Sequence, residues 1–432
     1  MTNSSKPLGF NTLAVHAGQA VDEPSMSRGV PVHRTSSYVF RDSKHASDLF
    51  GLRQLGNIYT RLMNPTTDIL EKRMAALEGG VGALATSSGT SAIFYSIINL
   101  AENGHEVVSA RNLYGGTYTM FNDILPQFGI RTVFADHDKP ETFRKAVNEK
   151  TRAIFIETVG NPKLGIPDIS KIARIAGEFH LPLIVDSTFT TPFLFKPIDF
   201  GASIVVHSLT KWIGGHGTAV GGIVVDSGKF DWKDPKFRMF VEPEPSYHGI
   251  RFAYDLGPLQ EMSYILRMRL VALRNLGACI SPDNSWIFLQ GLETLALRMK
   301  RHADNSLDVA KYLSGHKKVR WVRYPGLPND PSFEMAQRYF NKGMAGGVVV
   351  FGIDGTSQTA EKFIDNLQLF SHLANVGDAK SLVIHPASTT HSQLTAEQRI
   401  EAEIPDELIR LSIGIEDVED IINDLDTAFE KL

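Results

Sequence analysis

The sequence predicts an α/β fold, with a mostly parallel sheet buried between helices and a smaller α+β domain after it. Between residues 68 and 226 short apolar runs alternate with helix-like stretches, which is the pattern of a parallel sheet covered on both faces. Longer helical patterns follow, and they then mix with strand-like runs at 347–353 and 409–413. Polar residues close several of the apolar runs. Because such sheets bind ligands beyond the carboxyl ends of their strands, we expect the functional site there.

Composition narrows the class of protein. The chain has 432 residues, 43% of them hydrophobic and 21% charged, with a net charge of -4. This length has room for two domains, and the absence of a basic stripe argues against nucleic-acid binding. The single cysteine, Cys279, excludes an intramolecular disulfide and is typical of a reducing compartment. With no signal-peptide pattern at the start and no apolar run of ~20 residues, we expect a cytoplasmic protein.

Three regions are predicted along the chain. Residues 1–65 have weak periodicity and many glycines and prolines, so we expect an N-terminal arm that packs on a neighbouring subunit. Residues 66–275 form the predicted ligand-binding domain, and residues 276–432 form the C-terminal domain. Within the second region, residues 227–260 break the strand–helix rhythm with prolines. Their aromatic residues predict an ordered insertion near the active site.

The strand and helix positions in the second region follow from the apolar runs and their polar flanks. The predicted strands are 81–86, 106–110, 131–135, 153–157, 183–186, 204–207 and 220–225. The clearest predicted helices between them are 90–101 and 169–179.

Lys211 is the most informative single residue. It follows the apolar run 204–206 in the pattern Ser208-x-Thr210-Lys211 and enters a loop rich in glycine and histidine. An amine held there can form a Schiff base with pyridoxal phosphate, while the two hydroxyls bind phosphate oxygens. Asp186 closes another apolar run, and its carboxylate could keep the pyridine nitrogen of that cofactor protonated. A solvated loop lysine is the alternative, and the pairing with Asp186 disfavours it.

The turn around Ser88, Gly89 and Thr90 is a candidate phosphate site. It joins the first predicted strand to a helix, where backbone N–H groups and the helix dipole favour an anion. Simple helix capping by the same hydroxyls is the alternative. No Gly-x-Gly-x-x-Gly or Walker pattern is present, which argues against a nicotinamide-dependent oxidoreductase.

Tyr114 and Asn161 follow the second and fourth predicted strands. The ring of Tyr114 could stack on the cofactor, and its hydroxyl could transfer protons. Asn161 could hydrogen-bond the 3-oxygen of the cofactor ring. The alternatives are an ordinary surface or core tyrosine and a simple Asn-Pro turn. His207, His216 and His248 lack the spacing of metal ligands, so we expect no metal site.

Eight short segments, in this order along the chain, carry a resemblance to known proteins. The segments are Tyr59-Thr60-Arg61, Ser87-Ser88-Gly89-Thr90, Tyr114-Gly115-Gly116-Thr117, Glu157-Thr158-x-x-Asn161-Pro162, Asp186-Ser187-Thr188, Ser208-x-Thr210-Lys211, His385-Pro386-Ala387-Ser388-Thr389-Thr390-His391 and Arg410-Leu411-Ser412-Ile413-Gly414-Ile415-Glu416. Together they resemble the Cys/Met-metabolism family of pyridoxal-phosphate enzymes. The resemblance implies an aspartate-aminotransferase-like fold (fold type I) and a homodimer or homotetramer.

The resemblance also assigns roles to residues of the chain. Tyr59 and Arg61 are implied to reach into the phosphate site of a neighbouring subunit. Thr188 is implied to contact the cofactor. Arg410 is implied to bind the α-carboxylate of the substrate, which a planar guanidinium can do with two hydrogen bonds.

Within the family, the chain resembles the O-acetylhomoserine sulfhydrylases. Asn375, the segment 245–249 and the proline-rich insertion carry this resemblance, and Gly116 stands where methionine γ-lyases have cysteine. It implies γ-replacement, in which O-acetylhomoserine and a sulfur donor give homocysteine and acetate in methionine biosynthesis. Lys211 and Tyr114 would transfer protons, and Asn375 would contact the substrate. Cystathionine γ-synthase, a γ-lyase and a non-catalytic binding module are the alternatives. The sulfur donor stays open between sulfide, a small thiol and a sulfur-carrying protein.

Overall fold

The computed structural model describes residues 7–389 and 405–432, and these residues form two sheets. The larger sheet has seven strands in the order β1-β7-β6-β5-β4-β2-β3. Its strands are β1 (Gly82–Thr86), β2 (Glu106–Ala110), β3 (Arg131–Ala135), β4 (Thr151–Glu157), β5 (Leu183–Asp186), β6 (Ile204–Ser208) and β7 (Gly222–Asp226). Strand β7 runs antiparallel to both of its neighbours, and the other neighbouring pairs are parallel. The predicted mostly parallel sheet is therefore confirmed.

Helices cover this sheet and connect its strands. They are α1 (Phe10–His16), α2 (Ser43–Phe50), α3 (Pro65–Glu78), α4 (Gly89–Ile98), α5 (Gly115–Thr119), α6 (Pro140–Ala146), α7 (Ile169–Glu178), α8 (Thr191–Leu194), α9 (Arg238–Val241), α10 (Ser263–Arg267), α11 (Arg274–Leu276) and α12 (Pro282–Glu293). Local sequence sets their limits. Asn64 caps the N-terminus of α3 next to Pro65, and Gly79, with a φ of 78°, ends that helix in the left-handed conformation.

The smaller sheet lies in the C-terminal part of the chain and has the strand order β10-β11-β12-β9-β8. Its strands are β8 (Val319–Arg323), β9 (Val348–Ile353), β10 (Ser371–His372), β11 (Leu382–Ile384) and β12 (Leu408–Ser412). The accompanying helices are α13 (Leu295–Gly315), α14 (Phe333–Tyr339), α15 (Ser357–Asn366) and the C-terminal helix Val418–Glu430. The rings of Phe351, Phe363 and Phe429 meet between this sheet and its helices, so the smaller α+β unit has a core of its own.

Part of the N-terminal arm packs within its own subunit. The side chain of Arg73 in α3 is buried and donates a hydrogen bond to the carbonyl of Ala17 at 3.0 Å, which fixes the end of α1. Further along, the arm exposes several large apolar residues, including Val39, which is 97% exposed, and Leu55. Single apolar residues can face water, but several of them on one arm suit contact with another subunit.

The insertion is ordered, but it begins at the opposite end of the sheet from Lys211. Its Trp232 ring stacks on Phe240 and on Tyr264, and the Tyr264 hydroxyl donates to the carbonyl of Ser96 near the end of α4. Since α4 starts at the carboxyl edge of the sheet, this cluster lies at the amino edge. The expectation that the insertion lies near the active site is not met by this cluster. Within the described residues, no helix combines the length and hydrophobicity that crossing a membrane requires.

Candidate active site

The carboxyl edge of the larger sheet gathers most of the predicted site residues. Strands β4, β5 and β6 end there at Glu157, Asp186 and Ser208, because parallel neighbours end at the same edge. The turn before α4 and the segment that follows β2 reach the same edge. The smaller sheet contributes Arg410 from β12 and Asn375 from the segment between β10 and β11.

The loop that carries Lys211 is held by main-chain and side-chain hydrogen bonds. The N–H of Gly215 donates to the carbonyl of Lys211 at 2.8 Å, so the chain coils directly after the lysine. The buried guanidinium of Arg298 donates to the carbonyls of Trp212 at 2.7 Å and Ile213 at 3.2 Å. These contacts fix the backbone of the loop, so that the freedom left to Lys211 is that of its side chain.

The amine of Lys211 donates a hydrogen bond to Oδ1 of Asn375 at 2.5 Å. Burial lowers the pKa of Lys211 to about 8, and the positive charge of Arg410 lowers it as well. At pH 7 about a tenth of the amines with this pKa are deprotonated, which is far more than for an ordinary lysine. It can therefore act as a nucleophile and as a base.

Arg410 is a buried cation with neutral partners. Its Nη1 donates to Oδ1 of Asn161 at 3.1 Å, and its Nη2 approaches the carbonyl oxygen of Asn375 at 3.5 Å. Its side chain is only 7% exposed, and burial lowers its pKa to about 10. No ion pair with a carboxylate is found for Arg410 in the part of the chain that the structure describes. A buried guanidinium without a counter-ion suits a carboxylate ligand.

Asp186 is fixed by the residues that follow it. Its Oδ1 accepts a hydrogen bond from the N–H of Thr188 at 2.9 Å, and the hydroxyl oxygen of Thr188 accepts one from the N–H of Ser208 at 2.8 Å. Burial raises the pKa of Asp186, which the hydrogen bonds from Thr188 and the nearby His207 oppose. His207 itself pairs with Glu78 at 2.6 Å, and both side chains are fully buried.

The predicted phosphate site combines the start of α4 with the end of β6. Ser88 caps α4, its hydroxyl accepting the N–H of Ser91 at 3.0 Å. The backbones approach so closely that a Cβ on Gly222 would lie 2.1 Å from the carbonyl oxygen of Ser88, and a Cβ on Gly89 would lie 2.7 Å from Cβ of Ser208. Glycine is therefore required at both positions.

Two further hydroxyls belong to the same predicted phosphate site. Thr90 is exposed in the first turn of α4. The hydroxyl of Thr210 exchanges hydrogen bonds with Gly221, accepting its N–H at 3.1 Å, and so ties the lysine loop to the residue before β7.

Tyr114 lies at the same edge and is 53% exposed. Its N–H donates to Oε1 of Glu157 at 2.8 Å. Gly116 makes room for the ring, since a Cβ there would lie 2.6 Å from Cε1 of Tyr114. Glu157 begins one of the eight segments that resemble the family, but the sequence alone assigns it no role. The signal was present, because Glu157 closes β4 as Asp186 closes β5 and is its direct partner across the two strands.

Tyr59 and Arg61 lie together on the arm, with the guanidinium over the tyrosine ring at 5.4 Å. The Nε of Arg61 is buried without a hydrogen-bond partner. Across residues 7–389 and 405–432, no hydrogen bond joins either side chain to Ser88 or Lys211 of the same chain. This geometry is compatible with the expectation that both residues serve another subunit.

Two other features lie outside this set of residues. His385 is buried and bonds Ser388 at 2.8 Å and the carbonyl of Asp406 at 2.7 Å, while Thr390 and His391 of the same motif lie outside the described residues. After β3, the side chains of Asp136, His137 and Asp138 place one potential metal-binding atom each within 4.8 Å of one another. The carboxylate of Asp136 there already pairs with Lys139 at 2.8 Å, and an acidic cluster of this kind assigns no metal.

The donor set fits pyridoxal phosphate on the evidence of these contacts. An amine with a lowered pKa, a carboxylate at a strand end and a glycine-lined helix start lie along one edge. They offer a Schiff-base partner, a partner for the ring nitrogen and an anion site, which are the groups that this cofactor needs.

Comparison with known proteins gives a match along nearly the whole chain. Residues 11–430 match the family model described as Cys/Met metabolism PLP-dependent enzyme. The chain is 51% identical to an O-acetyl-L-homoserine sulfhydrylase from Leptospira meyeri, with 100% of this chain and 99% of the relative covered. It is 49% identical to a homocysteine synthase from Schizosaccharomyces pombe, with 98% of each chain covered.

Solved structures of similar proteins agree in fold. One is an O-acetylhomoserine (thiol)-lyase from Campylobacter jejuni, recorded with N'-pyridoxyl-lysine-5'-monophosphate. It superposes with a TM-score of 0.94 at 40% identity, covering 98% of this chain and 100% of that one. Another is the metB protein of Corynebacterium glutamicum, with a TM-score of 0.84 at 32% identity and 98% of each chain covered. The predicted aspartate-aminotransferase-like architecture is confirmed by these matches.

Proposed function

Because this chain belongs to the family of Cys/Met metabolism PLP-dependent enzymes, we propose that it catalyses γ-replacement on O-acetylhomoserine. Sulfide replaces acetate at Cγ, and the products are homocysteine and acetate, a step of methionine biosynthesis. The observation that carries the proposal is the arrangement of Lys211, Asn375 and Arg410 beside the cofactor residues. It sets an amine with a lowered pKa next to a buried guanidinium that lacks a counter-ion, as an α-amino acid substrate requires.

The cofactor is pyridoxal phosphate, and the residues proposed to hold it lie along the carboxyl edge. Asp186 would pair with the ring nitrogen, and Tyr114 would face the ring. Hydroxyls and main-chain groups would bind the phosphate, while further contacts come from neighbouring strand ends. The full proposed set is Ser88, Gly89, Thr90, Tyr114, Asn161, Asp186, Thr188, Ser208, Thr210 and Lys211, with Tyr59 and Arg61 from a neighbouring subunit. When bound, this cofactor supplies an electron sink that stabilises negative charge on the substrate carbons.

Arg410 orients the substrate. Its planar guanidinium can donate two parallel hydrogen bonds to the α-carboxylate, which fixes the direction of the Cα–H bond. Asn161 and the carbonyl of Asn375 hold the guanidinium from the side, at 3.1 and 3.5 Å. Because these partners are neutral, the positive charge of Arg410 is available to pair with the α-carboxylate of the substrate.

Lys211 moves the protons. Its amine removes a proton from Cα of the substrate and then a second proton from Cβ. It returns protons to these carbons as the product forms. The pKa of about 8 makes the neutral amine available near neutral pH. The side-chain oxygen of Asn375 gives that amine a hydrogen-bonding partner on the side of Arg410, and Tyr114 is a second group for proton transfer. At Cγ the C–O bond to acetate breaks and a C–S bond to sulfide forms.

The acyl group and the sulfur donor distinguish this activity from cystathionine synthesis. An O-succinyl ester carries a second carboxylate, and cysteine carries another, so either would need an additional cation. Arg251 in the insertion is the candidate cation. It is already engaged by Asp255, with Nη2 to Oδ1 at 2.8 Å and Nε to Oδ2 at 3.0 Å. The acetyl ester needs no such partner.

We therefore expect a strong preference for O-acetylhomoserine with sulfide. The kcat/KM for the acetyl ester should exceed that for O-succinylhomoserine by roughly a hundredfold or more, because the second carboxylate would be desolvated without a partner. Product formation by mass spectrometry, with sulfide, methanethiol and cysteine offered in turn, measures both choices. Equal rates with the succinyl ester and cysteine would identify a cystathionine γ-synthase instead.

The active unit is proposed to be at least a dimer, and a homotetramer by resemblance, in the cytoplasm. The buried Nε of Arg61 without a partner and the exposed apolar side chains of the arm support a shared site. The free thiol of Cys279 supports a reducing location.

Mixing two inactive variants tests the shared site. Subunits with Arg61→Ala keep their own Lys211, and subunits with Lys211→Ala keep their own Arg61, so a hybrid dimer contains one intact site. Mixed and exchanged samples should recover up to about a quarter of wild-type activity, since half of the dimers are hybrids with one site in two intact. If exchange is shown by native mass spectrometry and no activity returns, each site is built within one chain.

A further inference from the structure

Glu157 is a buried acid at the active-site edge to which the proposed mechanism gives no role. It ends β4, and its Cα is paired with that of Asp186 at the end of β5. Directly opposed residues of neighbouring strands point to the same face of a sheet, so the two carboxyl groups are lateral neighbours. The side chain of Glu157 is only 7% exposed. A buried acid next to another acid is costly, so its position calls for a specific partner.

That partner is the backbone of Tyr114. The N–H of Tyr114 donates to Oε1 of Glu157 at 2.8 Å, and the two residues are 43 positions apart in the chain. Tyr114 directly precedes the short helix α5, so this contact fixes the point where the chain leaves the edge of β2. Tyr114 as a whole is about half exposed, and its ring lies against Gly116. The anchor for the position of the tyrosine is therefore its main chain.

We propose that Glu157 is a positioning residue that holds Tyr114 in place beside Asp186, and so sets the tyrosine ring against the cofactor. This inference rests on the proposed function, because it uses the roles given there to Tyr114 and Asp186. Glu157 itself touches neither substrate nor cofactor in this account. Glu157 acts through the backbone of Tyr114, whose ring is proposed to contact the cofactor.

The charges around Glu157 agree with this role. Burial and the neighbouring Asp186 raise the pKa of Glu157 well above its usual range, and the hydrogen bond from Tyr114 opposes that shift. Asp186 has additional support from the N–H and hydroxyl of Thr188 and from His207. The pKa of both acids is raised by burial, and the neutral form is favoured more strongly at Glu157 than at Asp186. An amide at position 157 should reproduce the neutral acid closely.

The test compares Glu157→Gln with Glu157→Leu. The glutamine oxygen can still accept the N–H of Tyr114, so cofactor affinity and kcat should stay within about threefold of wild type. The leucine leaves that N–H without an acceptor, so the apoprotein should bind pyridoxal phosphate about tenfold more weakly and kcat should fall by at least as much. The KM for O-acetylhomoserine should change by less than about threefold, because Arg410 is untouched.

A matched control separates positioning from general stability. Glu106 is also a buried carboxylate in this sheet, but it lies at the opposite end of β2, where Asn148 donates to it at 2.6 Å. Glu106→Leu should lower thermal stability and leave the cofactor affinity of the folded apoprotein unchanged. If Glu157→Leu does not fold, Glu157→Asp carries the test, since its shorter side chain loses the contact and should weaken cofactor binding several-fold.

A double variant identifies the route of the effect. If Glu157 acts through Tyr114, adding Glu157→Leu to Tyr114→Ala should cause no further loss of cofactor affinity. Additive losses, or a Glu157→Leu protein with wild-type affinity, would overturn the proposal. Cofactor affinity is measured by absorbance without any substrate, so this result stands apart from whether O-acetylhomoserine is the substrate.

Discussion

Lys211→Ala is expected to lower kcat by roughly a thousandfold or more, because the variant loses the group that moves protons at Cα and Cβ. The loss should appear in kcat, with little change in secondary structure. The loop around position 211 is held by its own backbone and by Arg298, and the lysine side chain takes no part in those contacts. The variant should still bind pyridoxal phosphate without a covalent bond, through the start of α4 and Asp186.

Lys211→Arg serves as the control for charge. A guanidinium keeps a positive group near Asn375, but it does not lose its proton in proteins and cannot act as a base. Turnover should therefore stay as low as in the alanine variant. Recovery of substantial activity with arginine would show that position 211 contributes charge alone. Stopped-flow absorbance and steady-state assays on both variants make the comparison.

Arg410→Leu is expected to lower kcat/KM for O-acetylhomoserine by on the order of a hundred- to a thousandfold. The change removes the proposed partner of the α-carboxylate. The negative charge of the substrate would then be buried against the apolar leucine side chain. Cofactor binding should be affected far less, because none of the phosphate contacts involve Arg410. Arg410→Lys should recover only part of the loss, since an ammonium cannot donate two parallel hydrogen bonds.

Arg320→Leu is the matched control for this prediction. Arg320 lies in the same smaller sheet, in the edge strand β8, where it pairs with Asp354 at 2.8 Å on the surface. Its replacement should leave kcat/KM within about twofold of wild type, because an exposed ion pair contributes little. A loss of similar size in both variants would mean that Arg410 acts on the stability of the sheet and not on the substrate.

The strands of the larger sheet could be predicted closely from the sequence because each is a short apolar run with polar flanks. The predicted 106–110, 131–135 and 183–186 coincide with β2, β3 and β5. The same pattern marks the strand ends, so Asp186 and Lys211 stand out from the sequence alone. The direction of β7 could not be derived this way, since an apolar run does not reveal whether its neighbours are parallel. Because β7 is antiparallel to its neighbours, the insertion that follows it begins at the amino edge of the sheet, and the expectation that it lies near the active site was wrong in this respect.

Contacts between segments that are far apart in the chain also could not be predicted from local sequence patterns. Lys211 and Asn375 are 164 positions apart, and the hydrogen bond between their side chains depends on how the smaller sheet meets the larger one. The sequence marks Glu157 as the residue that ends an apolar run, but it does not show the partner of its side chain. That partner is the backbone N–H of Tyr114, 43 positions away in the chain.

The most direct measurement is the chemical location of the cofactor. The purified protein is reduced with sodium borohydride, digested, and mapped by mass spectrometry. One pyridoxyl group per chain is expected, on the peptide that contains Lys211, and no such label is expected in Lys211→Ala. A pyridoxyl group on any other lysine would contradict the assignment of the amine at the end of β6, and with it the mechanism built on that amine.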